Sequence, residues 1–113
     1  MIHTNIYYFI DKFDRNEILS LDKKINIIYR NYKEINLDPI IRKIKEICNK
    51  THRKFYIANN LKIALKFNSD GLYIPAFNNK LNYKNINSRK NFKIIGSAHN
   101  YKEIKIKENQ GCK

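Results

Sequence analysis

Cysteine is scarce in this 113-residue chain, and what there is sits far apart. Cys48 and Cys112 have no metal-type spacing and make no disulfide framework, which excludes a small cysteine-stapled or zinc-clasped scaffold. Glycine and proline are also few, at 3 and 2 residues, so the chain reads as regular elements joined by short loops. No apolar run approaches the length of a membrane span. The opening stretch "MIHTNIYYFIDKF" also lacks the basic start of a signal peptide. A reduced, cytoplasmic setting with no membrane partner is the expectation. Acidic residues number 10 against 23 Lys and Arg, leaving a formal net charge of +13.

That charge would ordinarily point to nucleic acid. The pattern of the basic residues argues otherwise. Lysine supplies 18 of the 23, they are spread along the whole length without an arginine-rich block, and the chain also holds 20 Ile and 17 Asn. Lys, Ile and Asn share A- and T-rich codons, so a single mutational bias enriches all three. A nucleic-acid partner is therefore disfavoured, while attraction of phosphorylated small molecules stays physically reasonable. Hydrophobic residues make up 42% of the chain, including 8 Tyr and 6 Phe, enough for a packed core.

One repeating idea runs along the sequence. "NIYYFID", "INIIYRN" (25–31), "KFYIANN" (54–60), "GLYIPAFNN" (71–79) and "FKIIGSAHN" are short apolar runs, each closing on polar residues. Continuous β-branched and aromatic runs of this length fit strands buried on both faces of a parallel sheet. Between them lie helix signals. Asp38 and Pro39 read as an N-cap and first helical position, followed by a stripe of Ile40, Ile41, Ile44, Ile47 and Cys48. Asn60 reads as the cap of a shorter helix with Leu61, Ala64 and Leu65 inward, closed by "NSDG", and Asn100 with Glu103 resembles a capping pair. Segments 12–24 and 78–91 are less clear helices. The alternation predicts an α/β fold with a parallel sheet and right-handed crossovers, either barrel-like or doubly wound. In both, ligands sit at the carboxyl ends of the strands. Arg30, Asn59, Asn60, Ser97 and His99 would converge there.

The motifs "IIYRN", "YIANN", "SDGLYIP" and "IIGSAHN", in this order and spacing, resemble the thiamine phosphate synthase/TenI family. In that family the second strand ends in Gln-x-Arg-x-Lys, the third in Asn-Asp, the fourth reads Asp-Gly-Val-His-Leu-Gly and the fifth closes on Ser-x-His. Arg30, Asn59, Asp70-Gly71, Ser97 and His99 match. The likeness covers nearly the whole of 1–113 and is weakest before Ile25. It implies one incomplete domain of TIM-barrel type, about five of the eight β/α units, since a full barrel takes about 250 residues. The rest is then expected from a missing C-terminal half, from another copy of the chain or a partner, or from rearrangement into a doubly wound sheet. A fragment is the favoured reading.

The resemblance also implies a function. Synthase members join hydroxymethylpyrimidine diphosphate to a thiazole phosphate and release diphosphate; TenI-like relatives act on the thiazole. A transferase of thiamine biosynthesis is thus implied, though complete catalysis by these 113 residues alone is not expected. Arg30, Asn59, Ser97 and His99 are the implied substrate-binding residues, with Asn59 and Ser97 on the pyrimidine diphosphate. Magnesium is implied too, but Asn60 stands where the family has an Asp, and the second carboxylate falls near Asn78 or Asn79. An amide brings no negative charge, so weak magnesium dependence or none is expected. Other departures are Ile28 and Tyr32 for the glutamine and lysine (with Lys33 one step away), Tyr73 for the histidine and Pro75 for the glycine. A non-catalytic phosphate-ligand binding module on the same scaffold is the alternative. Among the rest, Cys48 is expected in the core, and His3 and His52 are given no role.

Overall fold

The computed structural model describes residues 6–78, 91–97 and 101–112; of 101–104 it describes the backbone alone. Five strands and four helices alternate: β1 Ile6–Ile10, α1 Arg15–Ser20, β2 Ile25–Tyr29, α2 Leu37–Lys50, β3 Phe55–Ala58, α3 Leu61–Lys66, β4 Gly71–Ile74, β5 Lys93–Gly96 and α4 Tyr101–Gln110. The sheet is parallel and its strands stand in consecutive order from β1 to β5. A doubly wound sheet needs a reversal of strand order, and there is none here. The expected α/β class and parallel sheet are observed. The helix sought in segment 78–91 and the Asn100 cap fall outside the described residues. The chain divides into two compact units, Met1–Tyr56 and Ile57–Lys113.

In the first unit β1 pairs with β2 in register, Ile6 opposite Ile25 through Ile10 opposite Tyr29. Strand β2 is apolar enough to be covered on both faces, and Ile27, Ile28 and Tyr29 are all buried. Of the expected α2 stripe Ile41, Ile44, Ile47 and Cys48 are buried and Ile40 is half-buried, while α1 buries Ile18. Each fully buried isoleucine contributes about 1.5–3 kcal/mol of transfer free energy. The start of α2 differs from the sequence reading. Asn36, not Asp38, is the cap residue, and Pro39 is the third helical position instead of the first. The first four N–H groups of a helix have no partner within it, so a proline fits throughout that turn and does not fix the start. Glu34 Oε1 instead accepts from the N–H groups of Ile35 and Asn36, both at 3.0 Å.

Arg53 closes the opposite end of this unit. It is 5% exposed, just ahead of β3, and its guanidinium donates to the carbonyls of Leu21 (2.8 Å), Asp22 (2.7 Å) and Ile25 (2.9 Å). The fork of one side chain thus ties the α1–β2 loop and the first residue of β2 to the entry of β3.

In the second unit β4 and β5 are paired from Gly71 opposite Lys93 to Ile74 opposite Gly96. All four residues of β4 are buried, and Ile94 and Ile95 are the buried pair of β5. Helix α3 is short, with Ala64 buried and Asn60 as its cap, whose Oδ1 accepts from Ile63 N at 3.1 Å. Ser69, ahead of the Asp70-Gly71 turn, is buried, its hydroxyl within bonding distance of the carbonyls of Ala64 and Gly71. That turn lies at the amino end of β4, as expected, away from the carboxyl ends of the strands. Cys48 is core; His52 is exposed with φ 58°.

Candidate functional site

Polar side chains of the second unit stand at the carboxyl ends of β3, β4 and β5. Asn59 follows β3 directly and takes a left-handed backbone, φ 56°, a conformation that Asn adopts more readily than other non-glycine residues. Its N–H donates to the Tyr73 carbonyl at 2.8 Å, which fixes it beside β4. Its Oδ1 accepts from Asn78 Nδ2 at 2.6 Å. Ser97 follows β5, and its N–H continues the ladder to the Ile74 carbonyl at 3.2 Å. Two residues on from Ile95, it shares the face of Tyr73, the partner of Ile95 in register. The Tyr73 hydroxyl donates to Ser97 Oγ at 2.7 Å.

This pair has a direction. A phenol is the stronger donor, so Tyr73 gives its proton to Ser97 and leaves the serine O–H free to donate elsewhere. Among the described residues nothing accepts it. Asn59 and Ser97, both expected in the site, are therefore brought together through Tyr73, by its main chain on one side and its ring hydroxyl on the other. His99 lies outside the described residues. Arg30 belongs to the first unit, where its exposed guanidinium lies 4.2 Å from the centre of the Phe9 ring.

Helix α4 adds groups that sequence reading missed. Lys107 and Gln110, one turn apart, are buried at 5% and 3% exposure. Lys107 Nζ donates to the Asn78 carbonyl and to Gln110 Oε1 (2.8 Å), and Gln110 Nε2 donates to the same Asn78 carbonyl at 3.0 Å. Asn78 is thus held at both ends, by Asn59 on its side chain and by α4 on its backbone. Gly96 makes the fit possible: a β-carbon there would stand 2.8 Å from Cys112 Sγ and 2.9 Å from Lys107 Cδ. Burial pushes the Cys112 thiol up from its ordinary pKa, against the opposing pull of the Lys107 charge. The signal for Lys107 was present but inverted. Polar residues at helical spacing ordinarily mark a solvated face, whereas in α4 that face is turned inward.

Asn60 Oδ1, the expected ligand, is committed to the first turn of α3, and among the described residues no three His, Cys, Asp or Glu side chains are grouped to hold a cation. The arrangement offers the Ser97 hydroxyl as a donor suited to an anion's oxygen, while the Asn78 amide and the Lys107 ammonium donate within the protein. Among the described residues no helix is long and apolar enough to cross a membrane. Comparison of the sequence with family models and with curated proteins gives no match.

Proposed function

We propose that this chain is a thiamine phosphate synthase/TenI-like protein that binds a phosphorylated small molecule at the carboxyl ends of β3, β4 and β5, on a scaffold of incomplete TIM-barrel type. The observation that carries the reading is the Tyr73–Ser97 relay, which leaves one serine O–H without an acceptor among the described residues, at the position where ligands of parallel α/β proteins bind. Hydroxymethylpyrimidine diphosphate is the ligand of choice. Ser97 and Asn59 take its phosphate-bearing end, in a cytoplasmic setting that supplies such metabolites. The positive balance of the chain raises the local concentration of any such anion.

A second reading, binding without catalysis, is favoured by a specific feature. Departure of diphosphate requires charge neutralisation, and the capping role of Asn60 leaves that position without a carboxylate for a metal. Ligand-induced thermal stabilisation separates both readings from a nucleic-acid role. Hydroxymethylpyrimidine diphosphate should raise the melting temperature of the chain while an oligonucleotide leaves it unchanged, and thiamine phosphate formation with added thiazole phosphate then separates enzyme from binding module. Stabilisation by oligonucleotide alone would overturn the proposal.

A further inference from the structure

A groove of about 200 Å³ opens on the first unit, lined by Phe13 and Arg15 on one side and by Lys43, Glu46, Ile47 and Lys50 of α2 on the other. The four α2 residues fall at helical spacing on one face, so the groove follows that helix. Its charge is uneven. Lys50 and Glu46 pair at 3.1 Å and cancel each other, while the exposed side chains of Arg15 and Lys43 engage no described residue in a hydrogen bond or ion pair. The half-buried Phe13 and the buried Ile47 supply the apolar part of the lining.

We propose that this groove docks an acidic peptide segment of a partner protein, one apolar side chain seated on Phe13 and Ile47 and flanking carboxylates on Arg15 and Lys43. Size argues for a peptide over a metabolite. Small-molecule sites run to roughly 300–1,000 Å³, whereas this volume suits one large side chain. Charge argues against nucleic acid. Affinity for a phosphate backbone grows with the number of phosphates neutralised, and only two uncommitted cations are present, with a carboxylate between them and Lys50. An apolar anchor ringed by opposite charges is the recurring form of peptide recognition along a helix face.

The test uses the full chain and a fluorescein-labelled Glu-Asp-Phe-Leu-Glu-Asp peptide. Arg15→Glu combined with Lys43→Gln should weaken binding about tenfold. Lys54→Gln combined with Lys62→Glu, the same change in net charge at exposed sites elsewhere, should change it less than about twofold. Replacing Phe-Leu of the peptide by Ala-Ala should also remove binding, and amide shifts on titration should gather at 13–15 and 43–50. Circular dichroism checks that each variant keeps its helices. The proposal is overturned by absence of binding at millimolar peptide, by equal weakening in both variants, by shifts gathered elsewhere, or by oligothymidylate competing the peptide off the groove.

Discussion

Replacing Arg53 by Met tests how a buried cation without a carboxylate partner among the described residues holds the first unit together. The guanidinium makes three charge-assisted bonds of 2.7–2.9 Å to main-chain carbonyls. At about 1.5–3 kcal/mol each, these set a gross loss of roughly 4–9 kcal/mol. The substitution also recovers the desolvation cost of the charge, several kcal/mol, and Met keeps most of the apolar stem. Against that recovery, the carbonyls of the half-buried Leu21 and Ile25 lose their donor, whereas exposed Asp22 turns to water. A net loss of about 3 kcal/mol is expected, a large share of the roughly 5–15 kcal/mol that stabilises a domain. In urea, at a slope of about 1.5 kcal/mol per molar, the midpoint should fall by about 2 M in circular dichroism. Arg53→Lys keeps the charge but concentrates the donors on one nitrogen, and should fall between Met and wild type. A Met variant as stable as wild type, or more so, would refute the reasoning and show that desolvation outweighs the three bonds.

Three further predictions concern single atoms. Gly96→Ala places a β-carbon 2.8 Å from Cys112 Sγ and 3.1 Å from the Ile74 carbonyl, and should cost about 1–3 kcal/mol by thermal unfolding. Adding Cys112→Ala should recover part of that loss; no recovery would place the clash on the backbone alone. Asn60→Ala removes the oxygen that caps α3 and should cost about 1 kcal/mol, whereas Asn60→Asp should match or exceed wild type. The Tyr29 hydroxyl is buried, and its pKa is raised, first by burial and then by the Glu34 charge, against a smaller opposing pull from the Asn31 side chain. Its neutral form is the one folding favours, so the contribution is intact below the ordinary tyrosine pKa of about 10 and is lost as pH climbs above it. Tyr29→Phe should therefore be at least as stable as wild type at pH 7 and lose less stability in alkaline denaturation; a steeper alkaline loss in the variant would contradict this.

What the sequence disclosed, and what it hid, follows from which forces act locally. The strands were legible because β2, β3 and β4 are covered on both faces and must be continuously apolar, and α2 because Ile41, Ile44, Ile47 and Cys48 repeat at its period. The start of α2 was misplaced because Pro39 lacks only an N–H that the first turn leaves unused. Helix α1 was unclear: at six residues it buries just Ile18, and Asp14, its cap, accepts from Glu17 N. Of the candidate site, Asn59 and Ser97 were legible as strand-end residues because a parallel sheet sets the carboxyl ends of its strands along one edge. Lys107, Gln110 and Arg53 were not, since a charged or amide side chain reads as solvated until the chain folds over it and supplies carbonyls. Tyr73 was noted only as a departure, yet its carbonyl accepts from Asn59 and its hydroxyl donates to Ser97.

The central claim is that the ends of β3, β4 and β5 receive a phosphorylated ligand through Ser97. Calorimetric titration of hydroxymethylpyrimidine diphosphate into the wild-type chain and into Ser97→Ala tests it most directly. Saturable binding without added magnesium, weakened about tenfold or more in Ser97→Ala at a temperature where circular dichroism shows the variant still fully folded, is the predicted result. Equal binding by both proteins, or none by either, would contradict it.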